Sequence, residues 1–145
     1  MNSANLPWQA WALLSAAFAA LTAIYGKVGV ETINSDFATL IRTAVILAVV
    51  AGIVAATGAW QPLASVSNKS WVFLTLSALA TGASWLCYYR ALKLGPAAQV
   101  APIDKLSIVL VAIFATLFLG EKLSGKNWLG VALIAVGAVL VATRR

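Results

Sequence analysis

VAPIDKLSIVLVAIFATLFLG, residues Val100–Gly120, sets an acid and a base, Asp104 and Lys105, side by side in front of the 14-residue charge-free stretch Leu106–Leu119. As a helix that run is about 21 Å long, at about 1.5 Å per residue. The hydrocarbon core of a bilayer is about 30 Å thick. A helix that crosses it must therefore begin near Ala98, which carries Asp104 and Lys105 about 9–10 Å past its start. One charge at the centre of a span costs roughly 2.5–3.5 kcal/mol on insertion scales. Two embedded charges need a partner or a task.

The rest of the chain has the same character. Apolar residues make up 62% of the 145, against ten basic and four acidic residues; a soluble globular chain has about 45–50% apolar residues and about a quarter charged. The net charge of +6 does not indicate a nucleic-acid partner, because the bases sit singly between hydrophobic runs instead of forming a patch. There is no histidine, which removes the usual metal ligand and proton shuttle and excludes Ser–His and Cys–His catalysis. The acids Glu31, Asp36, Asp104 and Glu121 are too few and too scattered to cage a metal. Cys87 is the single cysteine, so no disulfide forms within the chain. Neither a metal nor a cofactor is expected.

Five apolar runs can be read along the chain, at about 8–26, 37–58, 71–92, 98–119 and 127–143. The first is too long for the apolar part of a signal peptide and has no Lys or Arg before it, so it reads as a retained span. Asn34, Ser35 and Asp36 offer helix caps before the second run. Leu94-Gly95-Pro96 breaks the chain before the fourth, and GEKLSGKN makes a turn before the fifth. The fold class is thus an all-α membrane bundle of five transmembrane helices, one domain over 1–145. Aromatic residues agree with this count. Trp8, Trp11, Trp60, Trp71 and Trp128 fall at span ends on the N-terminal side, and Tyr25, Tyr88 and Tyr89 towards the other, as interfacial belts do. Trp85 is the exception, inside the third span. Small residues four apart, Ala44, Ala48, Gly52 and Ala56 in the second run and Ala12, Ala16 and Ala20 in the first, read as seams for close helix packing.

The segment YYRALKLGPAAQVAPIDKLSIVLVAIFATLFLGEKLSGKNWLGVALIAVGAVLVA (Tyr88–Ala142) resembles the second part of an EamA domain, the repeat unit of the drug/metabolite transporter superfamily. ALKLGPA at the end of the third span, LFLGEKLSGKNWLG between the fourth and fifth and GAVLVA near the end carry the resemblance. Arg42 in LIRTAV also fits the family pattern. The resemblance implies a solute transporter or exporter in a family that includes lipid-linked sugar translocators. Members usually hold two five-helix repeats of opposite orientation in one chain; this sequence shows one repeat and no internal duplication, like the short single-repeat members.

An odd number of spans puts the termini on opposite sides of the membrane. An inverted-repeat transporter needs two units related by an axis in the membrane plane, which one such unit supplies by pairing antiparallel with a second copy or with a different chain. Lys69, Lys122 and Lys126 lie on the N-terminal side; Lys27, Lys93, Arg144 and Arg145 lie on the C-terminal side, with Arg42 and Arg90 drawn partly into the membrane. The surface tally is close to balanced, as dual topology requires; counting Arg42 and Arg90 in full favours a cytoplasmic C-terminus.

The candidate substrate or coupling-ion residues are Asp104, Lys105, Arg42, Trp85 and Tyr88. On a continuous helix Asp104 and Lys105 point about 100° apart and satisfy each other poorly. Arg42, at matched depth in the second span, is the expected partner of Asp104, which leaves Lys105 to line a cavity or to snorkel. The structural alternative has Pro102 start a helical segment whose dipole holds Asp104, with Lys105 snorkelling. Trp85 and Tyr88, three apart, share a helix face and offer an aromatic wall for cations or flat solutes, or else pack and anchor. Glu121 is assigned to its turn, capping or pairing with Lys122 or Lys126. The leading function is a small secondary transporter or exporter in the inner (plasma) membrane, working as an antiparallel homodimer on an unknown small solute. The alternative is an accessory or half-subunit of a heteromeric, lipid-linked translocator. An enzyme is not expected, since only an Asp104 pair across a dimer would supply a reacting group.

Overall fold

The structure is a computed structural model that describes residues 6–143, so Arg144 and Arg145 lie outside the described residues. It consists of helices α1 (Trp8–Gly29), α2 (Ser35–Thr57), α3 (Asn68–Leu94), α4 (Ala97–Asp104), α5 (Ser107–Phe118) and α6 (Gly125–Ala142), with one 3-10 turn at Leu63–Ser65. With α4 and α5 taken together as Ala97–Phe118, five helical stretches are long and apolar enough to cross a membrane. Large apolar side chains face outwards, with Leu47 71% and Phe118 79% exposed. An exterior of that kind is stable only where the surrounding solvent is lipid.

Local chemistry sets where the helices begin and end. The Asn34 side chain accepts hydrogen bonds from the amides of Asp36 (2.8 Å) and Phe37 (3.2 Å) and so starts α2. At the other end Gly58 takes a left-handed conformation (φ 65°), with the Gly58 amide donating to Ala55 O and the Ala59 amide to Val54 O. This is the double-bonded glycine stop that satisfies the last free carbonyls of a helix. The Ser124 hydroxyl caps α6 by accepting from the Asn127 amide at 3.3 Å. The expected ion pair of Glu121 is not found among the described residues. Its amide instead donates to Ala115 O, beside Gly120 at φ 68°, and closes the end of α5.

The fourth span differs from the continuous helix expected. α4 stops at Asp104, and the backbone tightens to three-residue bonds, Lys105 N to Pro102 O (3.1 Å), Leu106 N to Ile103 O (3.0 Å) and Ile108 N to Lys105 O (3.0 Å), before α5 begins. Pro102 lies inside α4, where it has no N–H to donate and crowds the carbonyl one turn back. A 3-10 segment within a helical span is the local adjustment such a proline induces.

The chain divides into two compact units, one of residues 28–93 and one holding the described parts of 1–27 and 94–145. In the second unit α6 packs on both α4 and α5. The buried side chains of this unit are alanines, Ala23, Ala112, Ala115 and Ala138, as expected where backbones approach closely without a hydrophobic drive. In the unit of residues 28–93, Val30, Ala38 and Tyr89 form a small core with Ile33 and Tyr88 packed against it. The small-residue stripes singled out from the sequence are not buried within their own units. Ala12, Ala16, Ala20, Ala44, Ala48, Gly52 and Ala56 are all exposed.

Candidate functional site

The candidate residues fall into two groups, each inside its own unit. In residues 28–93, α2 carries Arg42 and α3 carries Trp85, Tyr88 and Tyr89. The guanidinium carbon of Arg42 lies 4.1 Å from the centre of the Trp85 ring and 5.3 Å from that of Tyr89. Trp85 and Tyr89 are four apart on α3, so both rings present to the same side of the helix. The electron-rich ring faces attract the cation. They satisfy its face but accept no in-plane hydrogen bond. Accordingly, Arg42 Nη1 is a buried side-chain nitrogen with no hydrogen-bond partner.

Tyr89 joins Trp85 at the arginine, a contact not singled out from the sequence, and it is 5% exposed. Tyr88 packs at the edge of the Val30–Ala38–Tyr89 core, its ring 6.3 Å from that of Tyr89 at 61°. The i, i+4 spacing of Trp85 and Tyr89 was the signal available.

The same unit holds an ion pair the sequence did not suggest. Arg90 Nε and Nη2 donate to the two carboxylate oxygens of Asp36, at 3.0 and 2.7 Å. Both groups are largely exposed at the end of their helices. Beside them the Lys93 ammonium donates to the Ile33 carbonyl. The C-terminal end of α3 is thereby tied to the entry of α2, which braces the helices on either side of Arg42.

In the other unit, Asp104 is half-buried at the end of α4 and Lys105 exposed at the start of the break. Lys105 Nζ donates to Asp104 Oδ2 at 3.2 Å. The contact is made by the long, flexible lysine side chain at the end of α4, where the regular helix stops. Within its own unit Asp104 is thus engaged by its neighbour Lys105, and within the other unit the guanidinium of Arg42 lies on aromatic rings.

The chain is a multi-pass helical membrane protein in which a cation rests on an aromatic platform. The EamA-like transporter family model matches residues 6–143, and the chain belongs to that family. It is 72% identical over 135 residues to an uncharacterized transporter encoded in the cobO 3′ region of Sinorhizobium sp., covering 93% of this chain and 96% of that protein. It is 34% identical over 82 residues to a probable 4-amino-4-deoxy-L-arabinose-phosphoundecaprenol flippase subunit ArnE of Yersinia pestis (strain Pestoides F), covering 57% of this chain and 72% of that one. The same identity and coverage relate it to the protein of that name from Yersinia pseudotuberculosis serotype O:1b (strain IP 31758). No solved structure matches.

Proposed function

We propose that this EamA-family chain acts as one five-span domain that works in pairs, two units enclosing a single path for a small solute across the inner membrane. The second unit is an antiparallel copy of the same chain. The observation that carries this reading is Arg42, a cation on a helix long and apolar enough to cross a membrane whose buried Nη1 has no hydrogen-bond partner, where a group that touches no solute is costly to keep. The Sinorhizobium relative, matched over 96% of its own length, is of similar extent. The exposed stripe Ala44, Ala48, Gly52 and Ala56 on α2 supplies a surface on which a second unit's helix can pack closely. In this reading Arg42, Trp85 and Tyr88 contact solute, Asp104 and Lys105 respond to it or to a coupling ion, and no enzymatic step is involved.

A second reading has this chain as one subunit of a heteromeric, lipid-linked translocator with no transport of its own. The relatives named as flippase subunits favour it. Thr143→Cys in a Cys87→Ser background separates the two. An antiparallel homodimer leaves the new thiol reactive towards a membrane-impermeant maleimide from both faces of the membrane, in comparable amounts. Labelling from one face alone removes the homodimer and leaves the heteromer.

A further inference from the structure

We infer that the Arg42–Trp85–Tyr89 group is an oxyanion site, taking the carboxylate or phosphate of an anionic ligand on the free edge of the guanidinium. This rests on the transport reading above and names the ligand chemistry of the same site. A guanidinium has two faces and a rim of N–H donors in its plane. Here one face is taken by Trp85 at 4.1 Å, with Tyr89 at 5.3 Å, so the rings account for the charge but not for the donors. Nη1 is buried and without a hydrogen-bond partner, an omission that native proteins rarely leave in place without a use.

The nearest acid in sequence does not fill the gap. Asp36, one and a half turns before Arg42 on α2 (about 9 Å), has both carboxylate oxygens engaged by Arg90. A planar guanidinium with one face stacked and a buried, unpaired Nη1 is of the kind that binds carboxylate and phosphate through N–H···O bonds. A cation or a neutral apolar solute would leave Nη1 unsatisfied and, in the first case, set like charges together. The platform also fixes the guanidinium in orientation, so less freedom is lost when the anion arrives.

Two sources present such an oxyanion, a soluble solute and the headgroup of an anionic lipid, and the test separates them. The chain is reconstituted in phosphatidylcholine nanodiscs, with Trp8, Trp11, Trp60, Trp71 and Trp128 changed to Phe, so that emission reports Trp85 alone. Inorganic phosphate and acetate are titrated at constant ionic strength against chloride. In parallel, nanodiscs containing phosphatidylglycerol are compared with those lacking it. A saturable change in Trp85 emission with phosphate or acetate assigns a soluble anion; a change with phosphatidylglycerol alone assigns a lipid headgroup. Either response is expected to weaken about tenfold or more in Arg42→Lys, which keeps the charge and loses the fork. Thermal unfolding of the unsubstituted chain with and without the same anions and lipid gives a second readout that does not depend on the five Phe changes. No response in either readout, or a response unchanged in Arg42→Lys, overturns the proposal. Binding without transport would instead overturn the functional reading and leave the site standing.

Discussion

Arg90 and Asp36, 54 residues apart in sequence, meet in a two-bond clasp that joins α3 to the first turn of α2. The clasp sits at the end of the helices that hold Arg42 against Trp85, and Lys93 reinforces it through the Ile33 carbonyl. If it holds the two helices together, Asp36→Asn and Arg90→Gln each lower the thermal stability of the reconstituted chain. The double variant then loses less than the sum, because neither single change leaves the pair intact. Fully additive losses would show that the two residues act separately. Both groups are exposed, so the coupling should shrink as salt is raised.

Replacing the platform tests the cation–π contact directly. Trp85→Leu should destabilise the chain by about 0.5–2 kcal/mol beyond its change in packing. Trp85→Phe should lose less, since it keeps a ring under the guanidinium. In an Arg42→Gln background the difference between Leu and Phe at this position should largely vanish. A difference that persists there would assign Trp85 to packing alone. Denaturant or thermal unfolding of the four variants gives the answer.

The bond between Lys105 and Asp104 makes a different prediction from the Arg42–Asp104 pairing expected at first. Lys105→Gln and Asp104→Asn should be coupled to each other, and Arg42→Gln should add independently to Asp104→Asn. If Lys105 also meets solute, Lys105→Gln lowers transport while folded yield stays near that of the parent. Expression level and uptake or resistance in cells distinguish these outcomes. Additivity between the two neighbours would reduce their contact to an incidental one.

Gly58 ends α2 at φ 65°, where an added side chain meets no neighbour within 4 Å. The cost of Gly58→Ala is therefore backbone strain alone, about 1–2 kcal/mol. Asn at this position should lose less than Ala, because Asn enters the left-handed region more readily. Equal loss for both would mean that something other than the φ angle penalises the side chain.

What sequence alone determined here is what depends on neighbouring residues and on the solvent. Runs of about 20 apolar residues can only be helices in lipid, because each backbone group must find its partner within its own segment. That requirement makes the spans legible near their observed ends, with the Asn34 cap and the break at Gly120. The departure inside the fourth span was half visible. Pro102 announced a disturbance, but not that the backbone would tighten after Asp104 or that Lys105 would bond to it. Tertiary structure decided the rest. That Arg42 lies on the rings of Trp85 and Tyr89 was not expected from the sequence, because spacing within α3 does not say what faces it from α2. The choice of Tyr89 over Tyr88 and the clasp of Arg90 on Asp36 depend on how α3 is rotated against α2. A helix as apolar all round as these carries little record of that rotation, since lipid accepts nearly every face equally well.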